Sequence, residues 1–274
     1  RDRGGQKPLH YRIDDDALRF ASSPSALLAD PTAPRPEADS ASIHHYVHYG
    51  YVPSPLSAFK GFRKLPPAHV LDWRPGRPPL LRRYWMPSFG PKHDASTRRA
   101  RAALTDELQS RIDESIRLRL VSDVPLGGFL SGGIDSGLIV ASMSRQLNDP
   151  VKTFTIGFEH AAYDERGLAA SVARQYATEH HERIVPADAL ELLPLLVRRY
   201  GEPFADSSSL PTYRVAELAR EHVTVALTGD AGDEVFAGYQ RHTANEMGRV
   251  YGLIPGALRG VIHEVVEALP HRAQ

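Results

Sequence analysis

The chain contains no cysteine. Disulfides, thiolate metal sites and cysteine nucleophiles are therefore excluded within its 274 residues. It has no excess of either charge, with 33 Lys+Arg against 33 Asp+Glu. Nothing in that balance draws it to nucleic acid or to an anionic membrane surface. It has no apolar run near the ~18 residues of a membrane span, and no charged-then-apolar signal peptide at its start. These absences predict a cytoplasmic protein with neither nucleic acid nor membrane as partner. The sequence also opens on Arg1 rather than Met and reads as a piece of a longer protein. What remains is ordinary for a globular chain, 42% hydrophobic and 24% charged, and long enough for one large domain or two smaller ones.

The organising stretch is Leu130-Ser131-Gly132-Gly133-Ile134-Asp135-Ser136. An apolar run from Val124 to Leu130 precedes it, and a helix-like segment from Leu138 to Leu147 follows. Strand, tight glycine loop and helix N-terminus make an anion site, because free backbone N–H groups and the helix dipole both favour negative charge. Gly132 and Gly133 can take positive φ and let a phosphate approach. Ser131 and Ser136 can donate hydroxyl hydrogen bonds, and Asp135 can hold a metal ion that bridges phosphates. No lysine follows the glycines, so this is not a Walker-type loop.

A second acidic stretch, Thr228-Gly229-Asp230-Ala231-Gly232-Asp233-Glu234, follows the β-rich run Val223 to Thr228. Three carboxylates within five residues repel one another at a strand end. They fit a divalent cation with a polyphosphate; the bland alternative is an acidic first turn of a helix. Between the two stretches, strands are expected at 151–158 and 180–185, and helices at 163–177, 186–200 and 210–221. That alternation predicts a parallel sheet covered by helices on both faces, an α/β fold. Ligands in such sheets bind beyond the strand carboxyl ends, which puts loops 131–136, 157–165 and 228–234 on one rim. An i, i+4 stripe (Leu104, Leu108, Ile112, Ile116, Leu120) marks an amphipathic helix over 100–121.

The first hundred residues read differently. Leu9 to Ile13 and Ala17 to Ser22 form a hairpin around Asp14-Asp15-Asp16. A lone hairpin is marginal, so it implies a sheet whose other strands are absent from this chain. A helix over 41–50 carries His44, His45 and His48, which read as surface or partly buried histidines, since no acidic or cysteine partner is near. Strands are expected at 70–73 and 80–85, and residues 86–99 read as a linker.

These motifs resemble a known family. SGGIDS is similar to the pyrophosphate loop of the ATP pyrophosphatase superfamily. The opening Arg-Asp-Arg…Lys-Pro-Leu-His-Tyr, the string from Gly50 to His69 and the loop from Thr228 to Tyr239 resemble asparagine synthetase (glutamine-hydrolysing). The resemblance implies an adenine nucleotide α-hydrolase-like domain over 100–274, truncated at its end. Before it come a β-rich remnant of an N-terminal-nucleophile glutaminase domain over 1–85 and the 86–99 linker. It implies ATP and Mg2+, with Ser131, Gly132, Gly133, Asp135, Ser136, Ile156, Gly157, Thr228 and Gly229 around the nucleotide. Asp135 and Asp233 would hold the metal; Asp230 and Asp233 would serve catalysis, and Glu234 would support the loop. The hydroxyls of Ser207, Ser208 and Ser209 match a loop near the carboxylate substrate. The implied reaction adenylates a carboxylate, that of aspartate, and ammonia then displaces AMP. A relative amidating another carboxylate and a non-catalytic nucleotide-binding piece are the alternatives. Small molecules are the implied partners, with homodimerisation by analogy.

Five positions depart from that family's usual residues. Gly5 stands where a bulky apolar residue is usual, Ala68, Ala231 and Ala237 where glycine is usual, and Gly137 where a hydroxyl residue is common. An Ala231 at positive φ would strain its loop. Lacking the nucleophilic cysteine and the later helices, this polypeptide is expected to bind ATP weakly and to show little synthetase activity.

Overall fold

The computed structural model describes residues 1–14, 16–158, 164–185, 189–256 and 258–260. The expected loop residues 159–163 and the expected helix start at 186–188 lie outside them. Contacts divide the chain into two compact units, one built mainly from residues 1–111 and 184–217, the other mainly from 112–157, 163–183 and 218–274.

In the first unit, β1 (His10–Asp14) and β2 (Ala17–Ala21) form the expected antiparallel hairpin, with Tyr11 opposite Phe20. The hairpin is not alone in the chain. After α1 (Pro24–Leu28) and α2 (Ser40–Tyr49), β3 (Phe62–Lys64) pairs antiparallel with β1 and completes a three-stranded sheet ordered β2-β1-β3. The expectation that every further strand was absent is therefore corrected. Only three residues long, β3 gives too little alternation to be seen in sequence. Helix α2 begins where the Asp39 carboxylate accepts from the Ala41 N–H at 3.2 Å, and stops at Gly50, whose φ is 78°. β4 (His69–Asp72) and β5 (Leu80–Arg83) form a separate antiparallel pair. Tyr11, Leu27, Val52, Phe62 and Leu65 are among the unit's buried apolar residues.

The second unit receives the chain through α3 (Arg98–Arg119). Ile112, Ile116 and Leu120 pack with Met143 and Val151, as the stripe predicts, but Leu108 is exposed. The sheet contains β6 (Leu126–Phe129), then, after α4 (Ile134–Gln146), β7 (Lys152–Phe158). Helix α5 (Arg166–Gln175) leads to β8 (Glu179–Val185). Helix α6 (Ala189–Tyr200) and most of α7 (Ser209–Arg220) belong to the first unit. The chain then forms β9 (Val225–Leu227), which is followed by α8 (Gly232–Phe236) and α9 (Gln240–Gly252). Strand order is β8-β7-β6-β9, with β6 parallel to both β7 and β9. This is the expected α/β architecture, a parallel sheet flanked by helices. β6 sits inside the sheet, and Gly127 is needed there. A Cβ on it would strike the Phe154 ring and the Lys152 carbonyl. The chain leaves β6 toward β7 and β8, then returns to the other side as β9. The carboxyl ends of β6 and β9 thus flank a topological switch point, the place where open α/β sheets bind ligands. No helix among the described residues is long and apolar enough to cross a membrane.

Candidate active site

The site assembles within the second unit, at the ends of β6, β7 and β9. Leu130 closes β6: its N–H donates to Phe154 O at 2.9 Å, and its carbonyl accepts from the Thr155 hydroxyl. The next six residues fold around two hydroxyls. Ser131 Oγ and Ser136 Oγ lie 2.9 Å apart, Ser131 N donates to Ser136 Oγ at 3.2 Å, and Gly133 N donates to Ser131 Oγ at 3.3 Å. Helix α4 starts earlier than its apolar pattern suggests, at Ile134, with Gly133 as a cap that supplies no side-chain hydrogen bond. The first N–H groups of this 13-residue helix therefore have no side-chain cap, the arrangement that makes helix N-termini suit anions. Gly132 has φ of 83°, and a Cβ there would overlap the backbone of Leu168 and Ala169 on α5. Small residues on α5 let the loop sit this close, a packing role that sequence reading missed. Their signal was the alanine spacing, with Ala169 and Ala173 both buried against Leu130 and Val140.

The acidic loop folds against this cradle. Gly229 lies on the Ser136 N–H and the Asp135 backbone, and Gly232 lies directly on the Asp135 carboxylate. Asp233 packs in the same way on Gly238, whose N–H donates to the Asp233 carbonyl at 3.1 Å. Thr228 accepts from Asp230 N at 3.4 Å, and Asp230 points to solvent. Tyr239 donates its hydroxyl to Glu234 at 2.7 Å, which gives Glu234 a structural task. Ala231 and Ala237, which bracket the short helix α8, have φ of 73° and 58°. The strain anticipated at Ala231 is present and is doubled at Ala237. Ala68 likewise takes φ of 57°, in the first unit.

At the end of β7, Ile156 and Gly157 carry a second feature missed from sequence. Arg166 grips Asp164 through two bonds of 2.8 Å, and the pair lies flat on Gly157, leaving no room for a side chain. The Arg166 hydrogen bonds hold the Asp164 carboxyl below its usual range. The loop of Ser131, Gly132, Gly133, Asp135 and Ser136 is thus brought against Gly229 and Gly232, with Thr228 and Asp233 next to them in the chain, and Ile156 and Gly157 lie at the end of the neighbouring strand. The expected serine loop, Ser207 to Ser209, belongs to the first unit and is organised by Asp206, whose carboxylate accepts from Ser208 N at 2.8 Å.

No group of three or more His, Asp or Glu side chains poised for a metal is formed among the described residues. The donor set still suits a hard cation that takes its remaining oxygens from a polyphosphate. It consists of two carboxylates, Asp135 and Asp233, on adjacent strand-end loops held by glycine contacts. The His44 and His45 rings contact each other, and the His45 and His48 rings each contact Tyr49.

The asparagine synthase family profile matches residues 107–272, well over half the chain. The chain belongs to that family. A glutamine amidotransferase domain profile matches residues 1–85. The asparagine synthase match spans the cradle, the acidic loop and the sheet between them. Asparagine synthetase (glutamine-hydrolysing) 1 of Bacillus subtilis is 31% identical over 271 residues, covering 98% of this chain and 42% of that protein. A Methanocaldococcus jannaschii protein provisionally named asparagine synthetase (glutamine-hydrolysing) 2 is 36% identical over 248 residues, covering 88% of this chain and 47% of its own length. The amidase chry2 of Gibberella zeae is 26% identical over 263 residues, covering 90% of this chain and 38% of that protein. The chain thus spans under half the length of these relatives.

Proposed function

We propose that this chain carries the nucleotide site of an ATP-dependent carbon–nitrogen ligase that makes an amide from a carboxylate and ammonia. The observation that carries the reading is the hydroxyl-lined, glycine-backed cradle at the switch point, with the acidic loop folded onto Asp135. The open N–H groups at the start of α4, with Ser131 and Ser136, bind the β and γ phosphates. The backbone of Ile156 and Gly157 takes the adenine edge. Asp135 and Asp233 are the residues that would hold Mg2+, and the ion would supply charge stabilisation for the leaving pyrophosphate. Asp230 orients the acceptor, and rate comes largely from holding its carboxylate in line with the α phosphate. The carboxylate oxygen attacks that phosphorus, the bond to the bridging oxygen breaks and pyrophosphate departs. Ammonia then adds to the acyl carbon and AMP leaves.

Aspartate is the first acceptor to test, given the names of the Bacillus and Methanocaldococcus relatives. The amidase-named relative supports a second reading, amidation of another carboxylate. In this scheme residues 1–85 are glutaminase-domain sequence, 86–99 the linker and 100–274 the synthetase part, and the protein works in the cytoplasm as a homodimer. Calorimetric titration of ATP with and without Mg2+ tests the site. The reading expects Mg2+-dependent binding that Asp135→Asn weakens at least about tenfold. Equal binding by both proteins would refute the metal role, and AMP release with aspartate against other carboxylates would decide the acceptor.

A further inference from the structure

Helix α5 touches the site at two places within one turn. Leu168 and Ala169 back Gly132 of the loop after β6, and Arg166 with Asp164 covers Gly157 at the end of β7. From Arg166 to Ala169 the helix rises only about 4.5 Å. Arg166 thus stands beside the strand next to the cradle, less than a turn from the residues that support the cradle itself. Side chains alternate along a strand, so Ile156 and Phe158 project from the opposite face of β7 to that of Gly157. The face at Gly157 has no side chain of its own, and the Arg166–Asp164 pair occupies it. A Cβ at residue 157 would collide with Arg166 Nε and Cδ and with Asp164 Oδ1.

The pair is held at three points. Arg166 Nε donates to Asp164 Oδ1 and Arg166 Nη2 to Asp164 Oδ2, each at 2.8 Å, and Arg166 N donates to Oδ1 at 3.2 Å. Two parallel bonds fix the plane of a guanidinium, as one bond would not. Nη1 is left over. It makes no hydrogen bond among the described residues, and Glu182 Oε1 of β8 stands 3.9 Å from it, beyond bonding reach. β8 lies on the far side of β7 from β6, so this free end is turned away from the phosphate cradle. The two side chains are 27% and 23% exposed. A partly solvated ion pair adds little to folding. What this one supplies is a flat, cationic plate at the strand end, beside the backbone of Ile156 and Gly157.

We propose that the Arg166 guanidinium is the plate on which the nucleobase stacks, with Asp164 as the positioning residue that holds it flat. This role rests on the ligase reading, in which the Ile156 and Gly157 backbone meets the edge of the base, and adds a surface for its face. A planar cation attracts the π-face of a purine and, turned away from the cradle, leaves the phosphates to the loop after β6. The test compares Mg-ATP with Mg-tripolyphosphate, which has the phosphate chain and no base, by calorimetry on the 274-residue chain. Arg166→Lys keeps the charge and loses the plane and the fork. It is expected to weaken Mg-ATP binding about tenfold and to leave tripolyphosphate within about twofold. Asp164→Asn keeps the shape and loses the charge-assisted grip, so Mg-ATP alone should weaken, by about threefold. Thermal melting of the same samples shows that the variants are folded. A pair with only a structural role would change both affinities together or neither. An unchanged ratio of the two affinities in Arg166→Lys would overturn the proposal and leave the ligase reading standing. Failure of the parent chain to bind either ligand would sink the ligase reading and this role with it.

Discussion

The loop after β6 holds itself together through its own hydroxyls, whereas the loop after β9 is held by contacts that leave its backbone strained. In the first, the residue at positive φ is Gly132, and Ser131 and Ser136 bond each other. In the second, the residues at positive φ are Ala231 and Ala237, and the carboxylates of Asp230 and Glu234 reach solvent. An L-residue in the left-handed region costs about 1–2 kcal/mol. Such strain persists only where surrounding structure over-determines it, and it gathers at functional loops. The loop after β6 is thus preorganised, while the acidic loop is kept in a costly shape by Gly229, Gly232 and Gly238 packing onto Asp135 and Asp233.

The largest effect comes from breaking the first loop. Gly132→Ala adds an L-residue at φ of 83° and drives its Cβ into the Leu168 and Ala169 backbone. A loss of about 2–4 kcal/mol is expected, read by urea unfolding, with loss of ATP binding. Unchanged stability would mean that the loop is looser than its hydroxyl network implies.

Removing charge from the second loop should act on binding and not on folding. Asp233→Ala deletes a carboxylate that is in no ion pair among the described residues, and its packing against Gly238 holds a loop that is strained in any case, so its loss costs folding little. ATP affinity in Mg2+ is expected to fall at least about tenfold, while the melting temperature stays within roughly 2 °C. Calorimetry and thermal melting on the same sample separate the two. A large drop in stability with unchanged affinity would reverse the roles given to the two loops.

Relaxing the second loop sharpens the contrast. Ala231→Gly and Ala237→Gly each remove a left-handed alanine at the smaller cost of added chain freedom, for a net gain of about 0.5–1 kcal/mol apiece. Denaturant midpoints should rise in both alanine variants, and a fall would show that the methyl groups are held by favourable packing.

Much of this site was legible because its chemistry is local. Ser131 to Ser136 are consecutive, and so are Thr228 to Glu234, so neighbouring residues state both loops and both flanking strands. The parallel sheet followed from alternation of β-rich and helical runs. What stayed hidden was contributed by distance in sequence. The sheet-completing β3 comes about fifty residues after β1 and is too short for a period. The Arg166–Asp164 pair takes its place on Gly157 only once the chain has folded back from the end of β7 to the start of α5. Leu108 belongs to a clean apolar stripe and yet is exposed, because periodicity reports a face and not what covers it.

Acid should separate the two sides of the sheet by a smaller margin. β7, next to β6, carries Thr153, whose hydroxyl lies 2.9 Å from both Thr178 Oγ1 and His180 Nδ1. Burial lowers the His180 pKa from its ordinary value of 6.5; the nearby Glu182 charge opposes this without cancelling it, and His181 adds to it. A histidine with a depressed folded-state pKa is protonated more readily in the unfolded chain. Its stabilising effect is therefore complete above about pH 6.5 and declines as pH falls from there toward the folded-state value. The β9 side lacks such a group in its three residues, Val225 to Leu227. Amide exchange at pH 5.5 should show more lost protection over residues 152–158 than over 225–227, after correction for intrinsic rates. His180→Asn keeps a polar atom near the Nδ1 position and removes the titration, so the difference should shrink while protection at pH 7.5 is retained. Equal loss on both sides in the parent chain would mean that acid acts through another group, with the buried His10 of the first unit, also lowered by desolvation, the next residue to replace.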